Sequence, residues 1–269
     1  MKTENESMTF KCSDGTNMTA YLSMPADLVG PYPAIIVIHE AWGLNEQIKG
    51  VTRRYANEGF VVIAPNLFTR HSELPLSEKN VAKAMIPMFS MPREKRNEPT
   101  AIQKLMESMS ETDRKAMNFF FSGREAFEKV MANDLISCTD YLQNLEFVTK
   151  ERIGVTGFCL GGGLAYQVST MFPFGAAVAF YGTNPKPLET VANITGPVLG
   201  IYAGEDDWIN SGLPAIVESM IRYKKTFEMK LYSGVQHGFF NETMPTYNKS
   251  AAEDAWERAV SFFSKYLVR

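Results

Sequence analysis

The chain has 269 residues, 45% of them hydrophobic and 21% charged, with 27 Lys and Arg against 30 Asp and Glu and a formal net charge of −3. That hydrophobic content supports a sizeable core and excludes disorder as the main description, while the slight negative charge lacks the positive field that drives nucleic-acid binding, so no nucleic-acid partner is expected. The longest apolar runs, such as 34–38 and 60–64, fall far short of the roughly 18 to 20 residues of a membrane-spanning helix, and the opening residues carry acidic side chains without an apolar signal region, so a cytoplasmic protein away from membranes is expected.

In chain order, residues 8–12 and 18–23 read as strands split by the turn signal Ser13-Asp14-Gly15, hence an antiparallel hairpin. Strands at 34–38 and 60–64 flank a helix at 46–58. The strand and helix alternation then breaks, and the stretch 71–133 shows no strand but several helix starts. Thr100-x-x-Gln103 is a capping-box pattern followed by Ile102, Leu105, Met106 and Met109 on one face. Ser122-x-x-Glu125 opens a further helix, whose apolar stripe (Phe127, Val130, Met131, Leu135, Cys138, Leu142, Leu145) returns to the sheet. The stretch is also rich in methionine (Met85, Met88, Met91, Met106, Met109, Met117) and holds the charge run Arg93-Glu94-Lys95-Arg96. Such an adaptable apolar surface suits helices packed on the body, a substrate lid or a dimer interface.

Beyond it the alternation resumes, with strands at 153–156, 176–180, 198–202 and 228–232 and helices at 161–171, 213–225 and 249–268. These strands are near-continuous apolar runs, as parallel strands buried on both faces require. In the last helix Ala255, Ala259, Phe262, Phe263 and Tyr266 recur at spacings of three and four. The expectation is an α/β fold, one domain over 1–269 with a helical insertion at about 71–133.

The strongest chemical signal is Gly157-Phe158-Cys159-Leu160-Gly161-Gly162, a strand running through G-x-C-x-G-G into a helix. This is a nucleophile elbow with cysteine where serine is more usual. A sharp strained turn lifts the nucleophile above the sheet, and glycine two residues before and after avoids collision with neighbouring backbone. The thiol then sits at a helix N-terminus, which favours thiolate and oxyanion. The Leu160 N–H is the expected first oxyanion donor, and the Ala41 N–H, in the loop His39-Glu40-Ala41-Trp42-Gly43 after a strand, is the expected second.

An elbow needs a base and an acid, in the chain order nucleophile, acid, histidine. Gly204-Glu205-Asp206 follows one strand and His237 the next, so Cys159, Asp206 and His237 are expected to converge at the carboxyl ends of parallel strands. Glu205 and Asp207 read as solvated charges or helix caps. Of the other histidines, His71 reads as a surface residue, and His39 as either a structural histidine or one that shapes the oxyanion loop. Three cysteines and three histidines show no metal-ligand spacing, so neither metal nor cofactor is expected. Cys12 and Cys138 read as core residues. Glu40 reads equally as a loop cap or a catalytic group.

Together with His39-Glu40-Ala41-Trp42-Gly43, Gly204-Glu205-Asp206 and His237-Gly238-Phe239-Phe240, the elbow resembles the dienelactone hydrolase (carboxymethylenebutenolidase) family of the α/β-hydrolase fold, over about 20–70 and 134–265. The resemblance implies a mostly parallel sheet with helices on both faces and a catalytic triad of Cys159, Asp206 and His237. It also implies a glutamate, Glu40, held against the thiol to take its proton when substrate arrives. Family members that open dienelactone hold the substrate carboxylate with arginines, one of them four residues after the histidine, where this sequence has Asn241. The second falls in the insertion, with Arg114 and Arg124 as candidates. Trp42, Trp208 and Phe239 are further candidate substrate contacts. The implied activity is cysteine-dependent hydrolysis of a small lactone, ester or thioester by a monomer or homodimer. The rival readings are a sensor that binds such a ligand without turnover and a redox-responsive Cys159.

Overall fold

The computed structural model describes residues 3–26, 30–71, 76, 78–89, 91, 95, 98–121 and 124–268. Eight strands form one sheet: β1 (Thr3–Lys11), β2 (Asn17–Pro25), β3 (Tyr32–Ile38), β4 (Val61–Pro65), β5 (Val148–Phe158), β6 (Ala176–Phe180), β7 (Val198–Ala203) and β8 (Phe227–Tyr232). Their order is β1-β2-β4-β3-β5-β6-β7-β8. The β1–β2 hairpin is antiparallel and joins β4 antiparallel; every other pairing is parallel. This is the mostly parallel sheet of an α/β-hydrolase fold.

The apolar runs become strands because both faces are covered, except at the sheet edge, where β8, expected to be buried on both faces, is partly to fully exposed along its length. All residues of β4, β6 and β7 are buried. Side chains alternate along β3: Ile36 and Ile38 join one core with Leu135 and Leu164, and Ile35 and Val37 join the other with Tyr55 and Phe263. The first core is closed by α5 (Arg124–Gln143) and α6 (Leu160–Ser169), the second by α1 (Glu46–Asn57) and α9 (Lys249–Leu267). In α9 the expected stripe holds at Ala255, Ala259, Phe262 and Phe263, which are buried with Leu267, while Tyr266 is only half-buried at its margin. Burying such a phenylalanine stabilises the fold by about 2 to 3 kcal/mol.

Between β4 and α5 lie α2 (Glu78–Phe89), α3 (Pro99–Ser108) and α4 (Glu111–Phe121), and they pack on the body. Val81, Ala84 and Met85 of α2 and Ala116, Met117 and Phe119 of α4 belong to the same buried cluster as the sheet face beneath. Ser122, Arg93, Glu94 and Arg96 lie outside the described residues, as do the side chains of His71, Met88 and Arg124.

Several expectations are corrected. Thr100 is not a cap: α3 begins at Pro99 with Glu98 at the N-cap and no side-chain cap bond, because proline at the first helical position has φ preset and needs no N–H partner. Strand β5 begins at Val148 rather than 153, since its first turn of sheet is partly exposed and carries no apolar run. The helix expected from the 122–125 signal is borne out as α5, which starts inside 71–133 and continues without a break to Gln143. Two further helices, α7 (Asp207–Asn210) and α8 (Leu213–Arg222), follow β7.

Candidate active site

The register of three neighbouring strands assembles the centre. Ile38 of β3 lies beside Gly157 of β5, and Phe158 of β5 beside Phe180 of β6. The residues that follow, His39 and Glu40, Cys159, and Tyr181, therefore emerge side by side at the carboxyl edge. Cys159 adopts φ 54° and ψ −111° at the N-cap of α6. A side chain at Gly157 would place its Cβ 2.0 Å from the Gly161 carbonyl oxygen, and one at Gly161 would lie 2.4 Å from that of Ile38. Only glycine lets the elbow close this tightly, as its spacing predicts. The thiol is partly exposed, whereas Cys12 and Cys138 are buried, and burial pushes the Cys12 thiol up to about 12.

Beyond β7 and β8 the loops bring the acid and the histidine together. Asp206 caps α7 by accepting from the Ile209 N–H, and its other oxygen pairs with His237 Nδ1 at 2.5 Å. Asp206 is buried, whereas Glu205 and Asp207 are exposed. Burial works against a charge on His237, but the Cys159 sulfur beside it and the Asp206 hydrogen bond outweigh that and hold its pKa well above the ordinary histidine value. With Nδ1 committed to Asp206, Nε2 is left for the thiol.

Glu40 is buried, and burial pushes its carboxyl pKa up. Its carboxylate accepts from Asn241 Nδ2 at 2.5 Å and from the Tyr181 hydroxyl at 3.2 Å. These two hydrogen bonds differ from the implied one to the Cys159 thiol, which pairs with His237 instead. His39 is fully buried, with burial lowering its pKa to about 4. The Leu160 side chain is buried at the start of α6, and Ala41 is partly exposed in the loop after β3. Among the described residues the N–H groups of Ala41 and Leu160 meet no acceptor.

The aromatic candidates separate. Trp208 is 57% exposed, its ring 6.3 Å from that of His237. Trp42 is half-buried against the core. Phe239 is not a substrate wall: it is fully buried, packed on Tyr181 at 5.5 Å and Tyr232 at 5.3 Å. Arg114 is exposed on α4 near Glu111. Among the described residues, no three His, Cys, Asp or Glu side chains gather as a metal-binding group.

The sequence model of the Dienelactone hydrolase family matches residues 18–267. The chain belongs to that family. A protein of Saccharolobus solfataricus named "Putative carboxymethylenebutenolidase" is 43% identical over 256 residues, covering 95% of this chain and 97% of its own length. Among solved structures, a protein of Klebsiella pneumoniae named "Putative Dienelactone Hydrolase" superposes with a TM-score of 0.75 at 24% identity, over 99% of this chain and 100% of the other. A dienelactone hydrolase-like promiscuous phosphotriesterase from metagenomic libraries gives 0.71 at 20% identity, over 98% of each chain. The chain is thus a dienelactone hydrolase-like hydrolase of the kind acting on ester bonds.

For a member of this family, two site residues escaped the sequence reading. Tyr181 holds φ 38° directly after β6, its hydroxyl on Glu40 and its ring 4.9 Å from His237. The Tyr181-Gly182 pair at a strand end was the available signal. Asn241, noted only as a departure from the family arginine, turns out to be buried and committed to Glu40 and Thr243. No helix among the described residues is long and apolar enough to cross a membrane.

Proposed function

We propose that the chain hydrolyses small activated lactones, esters or thioesters by covalent catalysis at Cys159. The observation that carries this reading is the strained backbone of Cys159 at the start of α6, with His237 beside its thiol and Asp206 on the far nitrogen. In the first step His237 takes the thiol proton as the sulfur attacks the carbonyl carbon, and the oxyanion is received by the Leu160 and Ala41 N–H groups. His237 then protonates the leaving oxygen or sulfur, and a thioester on Cys159 remains. In the second step His237 takes a proton from water, which attacks the thioester and releases the acid and the free thiol. Asp206 orients the imidazole throughout. Glu40 is the reserve acceptor for the thiol proton, a role its raised pKa supports.

A thioester has to be hydrolysed in every turnover, so low-barrier substrates such as enol lactones and aryl esters suit this nucleophile better than amides. Asn241 offers no positive charge where a carboxylate-binding arginine would stand, which favours uncharged acyl groups. The same reading treats 1–269 as a single domain in which the helices of about 71–133 are an insertion. It makes the protein cytoplasmic, a monomer or homodimer, with no cofactor, metal or nucleic-acid partner.

The test is a panel of dienelactones, aryl esters and acyl thioesters assayed with the parent, Cys159→Ser and Glu40→Gln. Iodoacetamide is expected to abolish turnover. Full activity after complete alkylation of Cys159 overturns the covalent mechanism.

A further inference from the structure

We propose that His39 is a positioning residue of the oxyanion hole, fixing the Glu40–Ala41 peptide so that the Ala41 N–H faces the carbonyl oxygen above Cys159. The inference rests on the acyl-transfer reading and extends it to a residue that touches neither substrate nor thiol. The imidazole Nε2 accepts from the Leu67 N–H at 3.1 Å, so that nitrogen carries no proton. The proton therefore sits on Nδ1, which donates to the Glu40 carbonyl oxygen at 2.6 Å. The Gly43 N–H donates to the same oxygen at 3.1 Å.

That carbonyl and the Ala41 N–H belong to one planar trans peptide, in which C=O and N–H point in opposite directions. Pinning the oxygen from two sides thus aims the N–H away from His39. The Ala41 N–H has no acceptor among the described residues, so its direction is set only through the carbonyl. The ring itself cannot drift. It is fully buried, and the Phe68 ring meets it edge-on at 4.8 Å. The first turn of α6 also backs against this strand end, since a Cβ on Gly161 would be 2.7 Å from the His39 carbonyl oxygen. The Leu160 and Ala41 donors are consequently held on two rigid pieces in contact, which is how preorganised donors avoid reorganisation during reaction.

The experiment compares the parent, His39→Leu and His39→Gln in two reactions of the same sulfur. Aryl ester acylation develops an oxyanion; alkylation by iodoacetamide forms a sulfur–carbon bond and expels iodide without one. The expected result for His39→Leu is a fall in kcat of about 100-fold, with alkylation within about twofold of the parent. His39→Gln, whose amide can both donate and accept, is expected to recover at least about tenfold of that loss. The inference is overturned if the leucine variant keeps the parent kcat, if alkylation falls in the same proportion, or if glutamine restores nothing. Should the variants fail to fold, imidazole ¹⁵N shifts of the intact protein decide, because an Nε2-protonated His39 at neutral pH refutes the arrangement. Retained ester hydrolysis in Cys159→Ala would instead sink the acyl-transfer reading, a separate outcome.

Discussion

Helices α6 and α3 are each ten residues long and are built on opposite terms. In α6 eight residues are buried, from Leu160 to Ser169, and its first turn is wedged between β3 and β6. In α3 none is buried, and Ile102, Leu105 and Met106 only lean on the core. A short helix is marginal in water and draws its stability from packing, so α6 is held by the body of the protein and α3 is held lightly. The difference matters for chemistry because a nucleophile, an oxyanion donor and a base must keep their geometry to a fraction of an ångström. Cys159 and the Leu160 N–H sit at the start of the tightly held helix.

The largest break in this contrast is chemical. Cys159→Ala leaves α6 in place but removes the sulfur, and kcat/KM on an activated aryl ester is expected to fall by at least about 10³-fold. Gly161→Ala attacks the packing instead. The new methyl would lie 2.4 Å from the Ile38 carbonyl oxygen, a backbone atom that has no rotamer with which to move aside. A cost of about 3 kcal/mol is expected, a drop in Tm of roughly 10 °C, and loss of turnover as the elbow shifts. An alanine variant with parental melting would show that the contact between α6 and β3 is looser than its geometry says.

The same packing makes the site acid-sensitive through His39. Its folded pKa of about 4 lies below the ordinary 6.5, so the folded state holds the neutral ring and the unfolded state takes up the proton first. His39 therefore adds nothing to the pH dependence above about pH 6.5 and removes stability as pH falls from there toward 4, by about 3 kcal/mol in all. Glu40 and His237 have raised pKa values and push the other way on acidification. The clean measurement is a difference: denaturant melts of the parent and His39→Gln across pH 7 to 4, in which the parent is expected to lose more. Parallel curves would mean that the His39 ring is protonated without penalty.

What could be read from the sequence follows the same divide. The elbow glycines, the strand centres and the order of Cys159, Asp206 and His237 each answer a demand made within a few residues of chain or by the order of strands. Tyr181 and Asn241 meet Glu40 across 141 and 201 positions of sequence, and no local pattern announces such a meeting. Phe239 read as a substrate contact from its neighbourhood to His237, yet its side of the loop faces the core. In the stretch 71–133 the helices α3 and α5 were legible from their apolar spacing, whereas α2 and α4 were not singled out and the start of α3 was misplaced, since a lightly packed helix begins wherever its local caps permit.

The smallest prediction isolates that last point by setting a buried cap, Asn45, against an exposed position inside a helix, Thr100. Asn45 caps α1 by accepting from the Ile48 N–H at 3.1 Å, so Asn45→Ala is expected to cost about 1 kcal/mol. Thr100 looks like a better cap in sequence, but in α3 it stands inside the helix behind Pro99. Thr100→Ala is therefore expected to change stability by less than about 0.5 kcal/mol. Chemical denaturation of both variants separates the two cases, because a true capping box at Thr100 and Gln103 would make the threonine substitution as costly as the asparagine one. Equal losses would move the start of α3 by two residues and remove the ground for calling it the lightly held helix of the pair.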